Sequence, residues 1–324
     1  MRKLVSLVSV LLLIVSAVSC GQNISKDGVA SPSAVSTPPP SSPVPEGTNI
    51  LYQLTDYSQM MSYVIKTKDN KLIIIDGGYD RNGKDLVQLA KELTGKQVPE
   101  IEAWFLSHVH EDHVDAFSQL MSKSVPELNV KHVYYNFPSR DFVQTYAADT
   151  CETYDKFTRA LTGLSKDQIT IVQMGDSFEI SGIQIDVLLT PDERITENPI
   201  NESSVVYRFT IDGQSVLFLG DAGEASGSRL LKLYKNDIAS DIVQMAHHGS
   251  YGVAKTFYKR VNPKVCLWPT PKWLWENDGG DGYNTGIYDT IQVYAYIAEQ
   301  VGVKKHFVAK DGIQMLEFPL DLTK

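Results

Sequence analysis

Apolar residues fall along this chain in three different patterns. Residues 4–18 form a largely apolar run of about fifteen, short of the roughly twenty that a membrane-spanning helix needs. Residues 21–47 have almost no apolar periodicity and carry six prolines between Pro32 and Pro45 among many Ser and Thr, the pattern of a semi-extended linker. From Asn49 onward, short apolar runs alternate with amphipathic stretches. Strands are predicted at 61–65, 72–75, 101–106 and 130–135, with helices at 84–93, 114–121 and 141–161. The rhythm repeats with strands at 169–172, 183–189, 204–211, 215–219, 242–245 and 265–268 and helices at 226–234, 253–258 and 287–300. Paired strands at 306–309 and 313–318 close the chain. Two such halves predict an α/β (α+β) domain, two mixed β-sheets packed face to face with helices outside.

Arg2 and Lys3 ahead of the first run, and small residues after it, describe a secretory signal over residues 1–19. Ala17-Val18-Ser19-Cys20 resembles a bacterial lipobox, which makes Cys20 the lipidation site, residues 20–48 a Pro/Ser-rich linker and residues 49–324 one globular domain. The expected location is outside the cytoplasmic membrane, lipid-anchored or secreted, with the anchor as the only membrane contact. Cys151 and Cys266 remain, either as an exported disulfide or as free thiols. The net charge of -9 becomes about -11 once Arg2 and Lys3 are removed, leaving 28 basic against 39 acidic residues. That balance works against a partner gripped through bulk positive charge, and nucleic acid is therefore a disfavoured one.

Seven histidines are an ordinary total, but three of them fall within Ser107-His108-Val109-His110-Glu111-Asp112-His113, directly after an apolar strand and at the mouth of a helix. Alternate residues of an extended segment point the same way, so His108 and His110 can hold one metal, while Asp112 and His113 project past them toward a second. Leu217-Phe218-Leu219-Gly220-Asp221 places another carboxylate at a strand end, where it can bridge two ions. Gln244-Met245-Ala246-His247-His248-Gly249-Ser250 ends a further strand in paired histidines, and a glycine there lets backbone approach a ligand closely. Ile73-Ile74-Ile75-Asp76-Gly77-Gly78 ends a fourth strand in an acid, which reads as a partner orienting the first histidine loop. Four strands ending in ligands or their supports imply one rim and one pocket.

In this order the four stations resemble the metallo-β-lactamase superfamily, with its four-layer αβ/βα sandwich and a site at the sheet edge. Within it, Asn201-Glu202-Ser203-Ser204-Val205-Val206, Leu219-Gly220-Asp221 and His247-His248-Gly249-Ser250 are similar to the hydrolase domain of ComEC-type competence proteins, and Lys310-Asp311-Gly312-Ile313 to its closing hairpin. The resemblance implies His108 and His110 at a first metal, Asp112 and His113 at a second, Asp221 between them, and either His247 or His248 completing the second. The histidine that in many members completes the first metal has no counterpart. His132 comes too early, on an apolar strand, and Asn201 stands near the missing ligand's place. Asp115-Ala116 replaces the usual two glycines, and residues 269–288 replace the usual Asn-x-Tyr-Gly-His-Pro segment with a loop carrying Trp273, Trp275 and Tyr283.

Two zinc ions are the implied cofactors, with manganese or iron equally suited to a His/Asp set. Two cations sharing a water lower its pKa towards neutrality and supply hydroxide without a protein base. The expected catalytic residues are then Asp112 and the His247/His248 pair, whose member not engaged in ligation can donate a proton to the leaving group. The expected substrate is a phosphodiester, small or part of the cell wall. Trp273, Trp275 and Tyr283, with nearby acids, form a candidate cage for a quaternary ammonium. The competing readings are a β-lactam, ester or thioester hydrolase, and a non-catalytic, metal-stabilised surface lipoprotein. The pattern carries no signal for oligomeric state.

Overall fold

The computed structural model describes residues 47–323, so the expected signal, Cys20 and nearly all of the linker lie outside the described residues. The first half contains β1 (Asn49–Gln53), β2 (Ser62–Lys66), β3 (Leu72–Asp76), α1 (Gly83–Thr94), β4 (Glu100–Phe105), α2 (Glu111–Met121), β5 (Asn129–Val130), β6 (Val133–Tyr135), α3 (Arg140–Tyr146), α4 (Cys151–Leu161) and β7 (Ile169–Ile171). The second half contains β8 (Ser177–Ile180), β9 (Ile183–Leu189), β10 (Val206–Ile211), β11 (Gln214–Phe218), α5 (Glu224–Tyr234), β12 (Ile242–Gln244), α6 (Lys255–Val261), β13 (Val265–Trp268), α7 (Lys272–Trp275), α8 (Thr290–Tyr296), β14 (Lys305–Val308) and β15 (Gln314–Phe318).

These strands form two mixed sheets. One has the order β15-β1-β2-β3-β4-β6-β7, with β5 also on β4; the other has the order β14-β13-β12-β11-β10-β9-β8. Each is antiparallel at one end and parallel at the other, the change falling between β3 and β4 in the first and between β11 and β12 in the second. In both sheets the strands that lead into the four chemical loops are those flanking this change of direction. Parallel neighbours end at the same rim, which puts β3 beside β4 and β11 beside β12 with their loops adjacent.

The period of two along each strand sorts the core into layers. Tyr63, Ile65, Ile73, Ile75 and Phe105 meet Ile185, Tyr207, Phe209 and Phe218 between the sheets. Their alternates on the first sheet, Val64, Leu72, Ile74 and Trp104, pack against Leu86, Phe117 and Phe157 of the helices. On the second sheet Leu217, Val243, Cys266 and Trp268 pack against Leu230, Phe257 and Val293. Strands buried on both faces explain why the sequence reads as continuous apolar runs rather than as alternation. The result is the expected sandwich: helices, sheet, sheet, helices.

Several details differ from the sequence expectation, each for a local reason. The strand over 130–135 is interrupted at Lys131-His132, and His132 Nε2 lies 2.7 Å from Thr170 Oγ1. The single helix over 141–161 is two, separated by a 3-10 turn at Ala148–Thr150, where Ala147 leaves helical geometry and the Asp149 carboxylate accepts from Thr150 N–H at 3.1 Å. The helix expected from residue 287 starts only at Thr290, because the Asp289 side chain accepts from Ser250 Oγ and Tyr251 N–H in the histidine loop. β14 and β15 do not pair with each other: β14 lies parallel to β13, and β15 crosses to the other sheet, antiparallel to β1. The segment Lys310-Asp311-Gly312-Ile313 is thus a crossover, not a hairpin, and it carries Leu316 and Phe318 into the inter-sheet core. Cys151 and Cys266 are both free, the second fully buried. Among the described residues no helix is long and apolar enough to cross a membrane.

Phe105 joins the two sheets through two aromatic contacts. Its ring stacks on Tyr134 at 4.5 Å and meets Tyr207 and Phe209 edge-on at 5.3 Å each. Phe105→Ala should destabilise the domain by about 3–5 kcal/mol, read as a lowered urea midpoint with an unchanged slope.

Candidate metal centre

The four loops meet at the rim. Asp112, His113, Asp221 and His248 bring one side-chain donor each to within 4.8 Å of one another, and all four are buried. His108, His110 and Asp221 form a second group by the same measure, so Asp221 belongs to both. Each group could hold a metal ion, with one carboxylate between them.

Backbone geometry aims these side chains. Asp76 closes β3 at φ 54°, a left-handed conformation uncommon for a non-glycine residue. It thereby turns its carboxylate under the histidine loop, where Oδ1 accepts from Ser107 N–H at 2.8 Å and Oδ2 from Ser107 Oγ at 2.8 Å. Oδ2 also lies 2.8 Å from His113 Nδ1. A carboxylate there fixes the proton on Nδ1 and leaves Nε2 for the centre. His108 is held through Nδ1, 3.1 Å from Ser107 Oγ and 3.3 Å from Ser204 Oγ, so its Nε2 faces His110 Nδ1 at 3.1 Å.

On the other sheet, Gly220 has φ 55° and no room for a side chain: a Cβ there would stand 2.9 Å from Ser107 Cβ and 3.0 Å from Ser204 Oγ. Ser204 Oγ accepts from Asp221 N–H at 3.0 Å and lies 3.3 Å from His108 Nδ1, tying the residue shared by both groups to the His108 loop. Gln244 stitches the Asp221 and histidine loops: Nε2 donates to Gly220 O and Met245 O, and Oε1 accepts from Leu219 N–H. Glu202 accepts from Ala225 and Ser226 N–H at the start of α5, which anchors the chain just after Asp221.

The paired histidines part company here. His247 and His248 both have left-handed φ, 52° and 55°, and the turn sends their side chains to different places. His248 Nδ1 faces Pro269 O at 3.2 Å, so that nitrogen carries the proton and Nε2 reaches the centre, 3.0 Å from Asp112 Oδ2 and 3.5 Å from Asp221 Oδ2. His248 is therefore the member that joins Asp112, His113 and Asp221. His247 belongs to neither group; Asn201 Nδ2 contacts its Nε2 at 3.3 Å.

Charge and orphaned atoms show what the cluster accommodates. His113 Nε2, His248 Nε2 and Asp221 Oδ1 are buried and have no aligned hydrogen-bond partner, which is costly for polar atoms unless something else satisfies them. Burial works to lower the pKa of His248 and His113. Asp221, with Asp112, outweighs it, lifting His248 to about 9 and His113 well above its ordinary value. Burial pushes Asp221 upward, but His113 and His248 overcome it and hold the carboxylate well below its usual range. His108 is driven the other way, well down, first by burial and then by the neighbouring His113. Two carboxylates thus demand positive charge at one group while neutral imidazole stands ready at the other. Divalent cations satisfy both, and the donor set of imidazole and carboxylate suits zinc, manganese or iron.

The structure does not bring the aromatic loop together as a cage. Trp275 packs edge-on against Trp268 at 5.2 Å and Tyr294 at 5.0 Å, Trp273 against Tyr288 at 5.2 Å, and Tyr283 is exposed. Trp275 is drawn away by the apolar surface of β13. Ser107, Ser204, Glu202, Gln244 and the Pro269 carbonyl act through partners distant along the chain, so no local spacing marks their roles. Ser107, Glu202, Ser204 and Gln244 do lie inside the quoted motifs, which is the signal the sequence offers for them.

The model of the metallo-beta-lactamase superfamily matches residues 57–265, more than half of the chain, and this protein belongs to that superfamily, most of whose members are hydrolases. No curated protein matches the sequence. Among solved structures, the metallo-beta-lactamase fold protein YhfI from Bacillus subtilis is similar at a TM-score of 0.51 and 15% identity, over 83% of this chain and 99% of that one. CmlA, a diiron β-hydroxylase from Streptomyces venezuelae, has a TM-score of 0.50 and 12% identity, over 86% of this chain and 55% of its own. Zn(2+)-bound PqqB from Methylobacterium extorquens has a TM-score of 0.46 and 13% identity, over 79% and 86%. At such identities the likeness to the first two is one of fold.

Asp76→Asn keeps a side chain suited to positive φ but removes the charge that orients His113. It should weaken metal binding about 10–100-fold, measured by chelator competition, with little change in far-UV circular dichroism.

Proposed function

We propose that this chain is a metal-dependent hydrolase that cleaves a phosphodiester outside the cytoplasmic membrane, held there by lipid on Cys20. The observation that carries the reading is the pair of donor groups sharing Asp221, one of them with four buried donors. Bound there, two divalent ions would polarise the scissile group and activate water at neutral pH. His108, His110, Asp112, His113, Asp221 and His248 would hold them. The chain's own task is positioning: Asp76, Ser107 and Ser204 fix ring and carboxylate directions, and Gln244 locks the two loops at one spacing.

One feature favours phosphodiesters among the substrates open to this superfamily. The segments most like the ComEC-type hydrolase domain are those that build the site: Asn201, Glu202 and Ser204, then Asp221, then the histidine loop. Beside them lies a cavity of about 650 Å³, lined by Arg194, Glu197, Glu202, Glu224 and Tyr251 among others, which has room for a small ester. The acidic balance of the chain favours a small or wall-borne ester over nucleic acid.

Purified protein loaded with zinc or manganese should hydrolyse bis(p-nitrophenyl) phosphate and leave nitrocefin intact. Chelation should abolish turnover, and Asp221→Asn should lower kcat/KM by about 100-fold or more. Opening of nitrocefin with no phosphodiester turnover would overturn the substrate class. In cells, Cys20→Ser should move the protein from the membrane to the soluble fraction.

A further inference from the structure

The group formed by His108, His110 and Asp221 has one donor fewer than its neighbour, and the chain has no histidine in the usual place to complete it. We infer that His247 supplies the missing imidazole, so that the tandem His247-His248 serves both ions, one histidine each. This inference rests on the two-ion reading above.

Three observations converge on His247. Its Nε2 lies 3.9 Å from Asp221 Oδ2, the oxygen that His108 Nε2 approaches at 3.8 Å and His248 Nε2 at 3.5 Å, so His247 stands with the rings of both groups around one carboxylate atom. Its backbone N–H donates to Gly220 O at 3.1 Å, fixing the residue to the loop that presents Asp221. Its contact with Asn201 Nδ2 is long, at 3.3 Å, and leaves both His247 Nδ1 and Asn201 Oδ1 buried without partners.

The backbone explains how neighbouring residues can serve different ions. In an extended strand His247 and His248 would face opposite sides of the sheet, and only one would reach the rim. Consecutive left-handed residues, followed by Gly249 at φ 85°, curl the chain instead. That curl is unfavourable for a non-glycine residue, and it is kept at both histidines. A Cβ at Gly249 would stand 2.6 Å from Trp268 Cε3, so the turn is packed against the second sheet and holds its shape. The ring of His247 remains 28% exposed while that of His248 is buried, which leaves the first ion the more open side.

The test uses His247→Gly, because glycine adopts positive φ without strain, with His247→Asn as a second variant tolerant of the same conformation. Zinc binding to the full chain is followed by chelator competition, and the coordination by the visible spectrum of the cobalt-loaded protein. The wild type should bind two ions. Each variant should keep one at unchanged affinity, which also shows that it is folded, and bind the other about 10–100-fold more weakly or not at all. Added imidazole should restore the second ion in His247→Gly, which a merely structural role would not produce. Two ions at unchanged affinity in both variants would overturn the assignment while leaving the two-ion reading in place. Unchanged affinities with an altered pH–rate profile would likewise overturn it and make His247 a proton donor. A wild type that binds fewer than two ions would overturn the underlying reading itself.

Discussion

A buried carboxylate must be paired, and Asp221 is paired from two sides. His113 Nε2 lies 3.3 Å from one of its oxygens; His108, His247 and His248 surround the other at 3.5 to 3.9 Å. These distances are short enough for strong attraction but leave several atoms without aligned hydrogen bonds. Much of the rim is arranged around keeping that carboxylate in place. Ser204 holds its backbone, Glu202 anchors the helix that follows, and Gly220 lets the loop come against Ser107. A site built this way has its charge and its directions set before any ion arrives, which is what makes preorganised electrostatics effective.

The fold supplies the means. Each sheet changes from antiparallel to parallel where its chemical loops leave, so strands from two halves of the chain deliver side chains to one edge. Rigid two-sided burial of β3, β4, β11 and β12 then keeps the loops at fixed separation. Phe105 and its ring partners lock the sheets together two residues before Ser107.

Much of this was legible in the sequence because its signals are local. Spacing alone groups His108, His110, Asp112 and His113, and apolar runs ending in Asp76, Asp221 and His247 mark the other loops. What was not legible depends on contacts between distant segments. His247 and His248 are the same residue type in adjacent places, and only the left-handed turn, with the Pro269 carbonyl, separates their roles. Trp275 has the composition of a binding loop but finds Trp268 and Tyr294 first. β15 alternates like the second strand of a hairpin, yet β1 offers it an open edge on the other sheet. β1 has only Ile50, Leu51 and Tyr52 between amides, and β8 is a four-residue alternation, so the pairing with β2, β15 and β9 rather than a local run makes them strands.

The account stands on two ions sharing one carboxylate. Diffraction from crystals grown with zinc, measured above and below the metal's absorption edge, tests that directly. The account predicts two anomalous peaks, one among Asp112, His113 and His248 and the other among His108, His110 and His247, with Asp221 between them. A single peak, or peaks that leave Asp221 uncoordinated, would contradict it.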